Sequence, residues 1–235
     1  MSGLDWIDDE LERLRGDHLL RQRIVRTSSQ AAQIEINGEP FINFGSNDYL
    51  ALASDPRLTQ AAQRSATTSG FGSGSSPLIT GRSAEQADLE DRLANFEGSE
   101  AALVFASGFA ANVGVISCLA GRGDLILSDS HNHASLIDGC RLARADVHIY
   151  AHSDLDDLSR RLNDSSHARR RFIVTDGLFS MDGDLARLAD IMEIAESHDA
   201  IVVVDEAHAT GVFGETGRGV CEHLGVADRV HVRMG

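Results

Sequence analysis

The chain has 235 residues, 42% of them apolar and 24% charged, the proportions of an ordinary globular protein, which exclude a disordered tail or a low-complexity filament. Its 36 acidic side chains against 21 basic ones give a formal net charge of −15, and a surface of that sign repels phosphate backbones and excludes a general nucleic-acid binder. All the basic residues are arginine: there is no lysine.

The N-terminus is acidic (Asp5, Asp8, Asp9, Glu10), which a signal or transit peptide avoids. Leu4, Ile7, Leu11, Leu14, Leu19 and Leu20 recur at helical spacing and predict an amphipathic arm over residues 4–26 that must dock on something. Residues 34–44 read as a hairpin turning at Asn37-Gly38. Pro56 at a helix start and the alanine-rich stretch to Thr68 predict a helix that ends before Gly70. The Gly/Ser loop of residues 70–77 follows, then a helix over 84–96.

Beyond residue 100, short apolar runs at 101–106, 125–128, 147–150, 172–175 and 201–204, with a further one at 230–232, read as strands. Amphipathic stretches at 110–119, 134–143, 155–162 and 185–197 separate most of them. This alternation predicts an α/β fold with a mostly parallel sheet covered by helices on both faces. Cys118, Cys140 and Cys221 are widely spaced and form no CxxC pair, so a reducing, cytoplasmic setting is expected, with no disulfide frame and no zinc ribbon. No apolar run reaches 18 residues, so no membrane span is expected.

In open parallel sheets ligands gather at the carboxyl ends of strands. Those ends read Ser107-Gly108-Phe109, 129–133, 176–180 and Asp205-Glu206-Ala207-His208. An aspartate leaving a buried strand at Asp205 calls for a cation or solvent, and its bland reading is a helix cap. With His208 three residues on, the pair suits a pyridine ring: the carboxylate keeps the ring nitrogen protonated and the imidazole meets the ring oxygen. A magnesium-binding acid is the rival, but no GxxxxGK[ST] loop accompanies it. Gly108 and Phe109, at a strand-to-helix turn, offer backbone N–H groups to a phosphate, or form a plain turn. His131 and His133 lack a third metal ligand at usable spacing, so no metal is expected, and His133 is the candidate for lying over an aromatic cofactor. Asp182-Gly183-Asp184 resembles a calcium-loop fragment but reads adequately as a tight turn, from which Ser180 reaches a cofactor oxygen.

Six segments stand in one order: 47–50 (NDYL), 107–112 (SGFAAN), 131–135 (HNHAS), 179–184 (FSMDGD), 204–208 (VDEAH) and 214–219 (GETGRG). Together they resemble the α-oxoamine synthases, and residues 72–81 point to the branch that serves biotin synthesis. The resemblance implies the large domain of the pyridoxal 5'-phosphate (PLP)-dependent transferase fold type I, with an arm and hairpin over 1–45 and the PLP-binding domain over 46–235. It implies decarboxylative condensation of L-alanine with a pimeloyl thioester; the rival branch joins glycine to acetyl-CoA. It also implies PLP as cofactor and a homodimer. By resemblance, Asp205 pairs with the pyridine nitrogen, His208 with the ring oxygen and His133 with the ring face. Gly108 and Phe109 hold the phosphate, Ser180 contacts the cofactor, and Arg21 meets the acyl substrate. The family's Schiff-base lysine and C-terminal small domain have no counterpart in the sequence. A fragment cut before the lysine, with little activity of its own, is therefore expected, and a short noncatalytic homologue that keeps the pocket is the alternative.

Overall fold

In the computed structural model, which describes residues 3–165 and 167–235, the apolar runs beyond residue 120 form one five-stranded sheet. Its strands are β3 (Leu125–Asp129), β4 (Asp146–Tyr150), β5 (Arg171–Asp176), β6 (Ala200–Asp205) and β7 (Val232–Met234). They lie in the order β4-β3-β5-β6-β7, with every neighbouring pair parallel. Alternation along a strand sends successive side chains to opposite faces. Leu125 and Leu127 therefore join Ile173, Val202 and Val204 in one core, while Ile126 joins Phe172, Val174 and Val203 in the other. β3 is buried along its whole length, as a central strand covered on both sides must be.

Helices α3 (Ala84–Glu97), α4 (Gly108–Leu119), α5 (Ala134–Leu142), α6 (Leu155–Asn163), α7 (Leu188–Ser197) and the short α8 (Val220–His223) complete the unit formed by residues 62–235. Their ends obey local chemistry. Ser83 caps α3 by accepting the Gln86 N–H, and Gly98 ends it at φ 65°, a left-handed angle that suits glycine. Asp154 caps α6, which carries Asp156 and Asp157 in its first turn and Arg160 and Arg161 in its last, opposing the helix dipole at both ends.

The chain runs from β3 to β4 on one side of the sheet, then crosses back to place β5 on β3's other side. The order therefore reverses between β3 and β5, and in open α/β sheets ligands gather at the carboxyl ends beside such a reversal. That reversal is what positions the candidate site.

Residues 1–61 form the other unit. It holds α1 (Asp5–Gly16), the antiparallel pair β1 (Gln33–Ile36) and β2 (Glu39–Ile42), and the first part of α2 (Pro56–Ser69). Asn37 and Gly38 take φ 53° and 83° in the hairpin turn, as an Asn-Gly pair predicts.

Three expectations need correction. The arm helix ends at Gly16 rather than near Arg26: His18 turns left-handed at φ 57°, and the N–H groups of Leu19 and Leu20 fold back onto the Leu14 carbonyl. Residues 101–106 are apolar enough for a strand but join no ladder, and the Val104 N–H donates to the Glu90 carboxylate instead. Helix α7 starts at Leu188, not Leu185, because Leu185 bridges back to Leu178 across the preceding turn.

Candidate functional site

Three aspartates close three adjacent strands: Asp129 on β3, Asp176 on β5 and Asp205 on β6, with Asp176 and Asp205 in register. All three are buried. A buried carboxylate is tolerated only with donors around it, and each has them. Asp205 Oδ1 accepts the Ala207 N–H at 2.8 Å and its Oδ2 accepts from Asn112 Nδ2 at 2.6 Å. The helix-cap reading of Asp205 is not met, since residues 207–212 form turns; Asp205 bonds within that turn and across the sheet end to α4. Asp176 Oδ2 accepts the His133 N–H at 2.7 Å. Asp129 accepts from the N–H groups of His131 and Ser153 and faces His152 Nδ1 at 2.9 Å.

Burial pushes the Asp176 carboxyl up to about 7; the His133 N–H works against that rise, and the negative charges of Asp205 and Asp129 add to it. The strand end around Asp176 therefore favours a proton, or a positively charged group, beside that carboxyl.

His133 begins α5 as its cap, accepting the Ser135 N–H on Nδ1 at 3.3 Å, with the Ser135 hydroxyl 2.7 Å from the same nitrogen. Ser135 Oγ in turn accepts from Asn112 Nδ2 at 2.8 Å. The predicted residues His133 and Asp205 are thereby connected through two side chains, Asn112 on α4 and Ser135 on α5. Both belong to sequence motifs, but nothing in the sequence gives either a role. The close passage of α4 past α5 explains the connection: a Cβ at Gly139 would stand 3.0 Å from the Asn112 carbonyl oxygen, a distance that only a glycine avoids.

Gly108 and Phe109 open α4 behind the Ser107 cap, which satisfies the Ala110 N–H. First-turn N–H groups have no intrahelical acceptor, and a Cβ built on Gly108 would meet nothing within 4 Å, so this helix end is open to an anion. Asn112 sits one turn further along the same helix. His208 lies half-buried in the turn after β6. Ser180 is exposed in the turn after β5, and Arg21 is exposed in the unit of residues 1–61.

A second group of side chains adjoins these strand ends. His152 spans Asp129 and Asp184, at 2.9 Å on each ring nitrogen. It stacks on His131 with centroids 4.0 Å apart, meets Phe179 edge-on at 4.5 Å, and His131 stands 3.3 Å from Asp182. This cluster ties the turn that carries Ser180 to the end of β3. His152 was legible only as one of ten histidines. Elsewhere, a cavity of about 760 Å³ lies between α3, residues 101–105 and β7, lined by Leu93, Phe96, Leu103, Val115, Val232 and Met234. It borders Ser107 and Gly108 but is not lined by Asp205 or His133.

Among the described residues no group of three or more His, Cys, Asp or Glu side chains is placed to hold a metal ion, and no helix is long and apolar enough to cross a membrane. The three cysteines are unpaired.

Residues 39–234 match the family described as aminotransferase class I and II. The 8-amino-7-oxononanoate synthase 1 of Bacillus velezensis is 46% identical over 235 residues, covering 100% of this chain and 60% of that protein. The 8-amino-7-oxononanoate synthase of an Anaeromyxobacter species is 49% identical over 232 residues, covering 99% of the chain and 58% of that protein. Among solved structures, a serine palmitoyltransferase variant from S. paucimobilis, solved with PLP and myriocin bound, superposes at a TM-score of 0.90 with 32% identity, over 97% of this chain and 58% of that one. The 8-amino-7-oxononanoate synthase of Francisella tularensis superposes at 0.65 with 32% identity, over 78% of this chain and 50% of that one. The chain thus spans about 60% of the length of the curated relatives it matches.

Proposed function

The chain belongs to the aminotransferase class I and II family, and on that premise we propose that its strand-end site binds PLP for the condensation of L-alanine with a pimeloyl thioester, giving 8-amino-7-oxononanoate. Its mostly parallel sheet flanked by helices is the architecture of the fold type I large domain. The observation that carries the reading is Asp205: a buried carboxylate at a strand end, anchored by Asn112 and Ala207, next to the reversal in strand order.

The donor set fits the cofactor's parts. Each oxygen of Asp205 accepts a hydrogen bond and retains a lone pair for a pyridinium N–H. The open first turn of α4 at Gly108 and Phe109 suits a phosphate, through unsatisfied N–H groups and the positive helix end. His133, its ring held by Ser135 and its backbone N–H by Asp176, offers a ring face, and His208 offers an imidazole to the ring oxygen. Ser180 supplies a further hydroxyl, and Arg21 takes the acyl carboxylate of the substrate. When bound, PLP supplies an electron sink for the bond that breaks at the amino acid's α-carbon. Asp205 contributes by holding a proton on the ring nitrogen, since a buried carboxylate stabilises the cation beside it. Residues 1–235 do not contain the amine that attaches PLP covalently, because arginine stays protonated and there is no lysine. They account for the non-covalent part of the site. A homodimer in the cytoplasm is the setting that goes with this reading.

The test is PLP titration followed by absorbance and by the phosphate's 31P resonance. Saturable binding is expected, weakened at least about tenfold, or 1.4 kcal/mol, by Asp205→Ala. Borohydride treatment is expected to leave no pyridoxyl adduct on any side chain. Absence of saturable binding, or binding indifferent to Asp205→Ala, refutes the proposal.

A further inference from the structure

We propose that Asn112 and Ser135 are positioning residues that form a hydrogen-bond relay between Asp205 and His133, fixing which nitrogen of His133 carries its proton. Three members are almost wholly buried: Asn112 is 3% exposed, Ser135 0% and Asp205 6%. Water is therefore kept from the bonds among these three, while His133 is exposed at the end of the chain of contacts.

Asp205 Oδ2, as a carboxylate oxygen, can only accept, so the Asn112 group 2.6 Å away must be its NH2. That assignment fixes the amide's orientation, because turning it over would set its carbonyl oxygen against the carboxylate. The same NH2 has a second proton, and it points at Ser135 Oγ, 2.8 Å away. Having accepted there, Ser135 keeps its single hydroxyl proton for donation, and His133 Nδ1 at 2.7 Å is the acceptor within reach when that nitrogen is unprotonated. The Ser135 backbone N–H points at this nitrogen too, at 3.3 Å. Two donors converge on Nδ1, so Nδ1 bears a lone pair and the ring proton is on Nε2.

The negative charge of Asp205 is thus read out three side chains away as the tautomer of His133. The close packing of α4 on α5 at Gly139, where a Cβ would stand 3.0 Å from the Asn112 carbonyl oxygen, brings the two helices near enough for these contacts. The relay's importance for the cofactor rests on the proposed function, in which Asp205 and His133 meet the two sides of one ring. Its existence does not, because it is complete within the protein alone.

The experiment is a long-range 1H–15N spectrum of the histidine rings in the free protein, with the His133 signals assigned by His133→Gln. Wild type is expected to show the Nε2–H form. Ser135→Ala removes the stronger donor and is expected to shift Nδ1 toward the resonance of a protonated nitrogen, while Ser135→Thr, which keeps the hydroxyl, restores the wild-type spectrum. An Nδ1–H form in wild type overturns the proposal without any variant. So does a His133 spectrum unchanged in a folded Ser135→Ala protein. PLP added to the same samples separates the two readings: a relay that responds as expected in a protein that binds no PLP leaves the relay standing and removes the cofactor, and the reverse result does the opposite.

Discussion

Replacing Asp176 by asparagine removes one negative charge from the sheet end while leaving an oxygen for the His133 N–H, which Asp176 Oδ2 now accepts at 2.7 Å. The carboxyl is raised from 3.8 to about 7, chiefly by burial, so the fold favours its protonated form. Below about pH 4 the folded and unfolded chains both hold the proton, and the group is neutral to stability. Between there and about pH 7 the folded chain keeps a proton that the unfolded chain has released. Stability therefore falls as pH rises, with a slope approaching about 1.4 kcal/mol per pH unit. The loss levels off above the folded value at about 4 kcal/mol, of which about 2 kcal/mol accrues between pH 5 and 7. The substituted amide cannot ionise and escapes it. Urea unfolding of both proteins at pH 5, 6, 7 and 8 is expected to show Asp176→Asn gaining about 2 kcal/mol on wild type from pH 5 to 7, then no more. A stability difference that stays flat over this interval refutes the argument: it would mean that Asp176 is ionised in the fold and that the three strand-end carboxylates do not restrain one another.

Two further outcomes test the surroundings of the site. His152 faces a carboxylate on each ring nitrogen, at 2.9 Å, and can donate to both only as the imidazolium. Burial opposes that charge, but the hydrogen bonds to Asp129 and Asp184 outweigh it and raise the group above 6.5, with His131 stacked beside it and Asp182 facing His131. The clamp is thus whole below pH 6.5 and weakens as pH rises through the folded value. Hydrogen exchange in residues 179–184, corrected for its intrinsic pH dependence, is expected to accelerate over that rise in wild type and to lose the step in His152→Gln. At Gly139, alanine would ordinarily strengthen a helix, but its Cβ would lie 3.0 Å from the Asn112 carbonyl oxygen and 3.2 Å from Ile116. Gly139→Ala is therefore expected to lower stability by about 1–3 kcal/mol in urea unfolding. A gain of the size seen for exposed helix glycines contradicts the close approach of α4 and α5.

Most of the candidate site was legible because its residues sit where strands end, and strands announce themselves. Val202, Val203 and Val204 could only be a buried strand, so Asp205 had to emerge at its carboxyl end, and the same logic placed Asp129 and Asp176. Residues 101–106 carry the same kind of apolar run and form no strand, because a strand is a property of a pair: the ladder needs a neighbour at the right edge, and composition does not name neighbours. The arm helix fails for a related reason. Helical spacing continues through Leu19 and Leu20, yet the Leu14 carbonyl accepts their N–H groups in a reversal, and nothing in apolar periodicity distinguishes a continuing turn from a closing one. Asn112 and Ser135 stood in recognisable motifs without a function, since their meaning lies in a contact between α4 and α5 that depends on Gly139 having no side chain. A buried polar side chain is often satisfied by one partner; here Asn112 has two, and one of them is the Asp205 carboxylate. Asp205 and His133 are consequently connected through α4 and α5, and neither residue alone could have disclosed that.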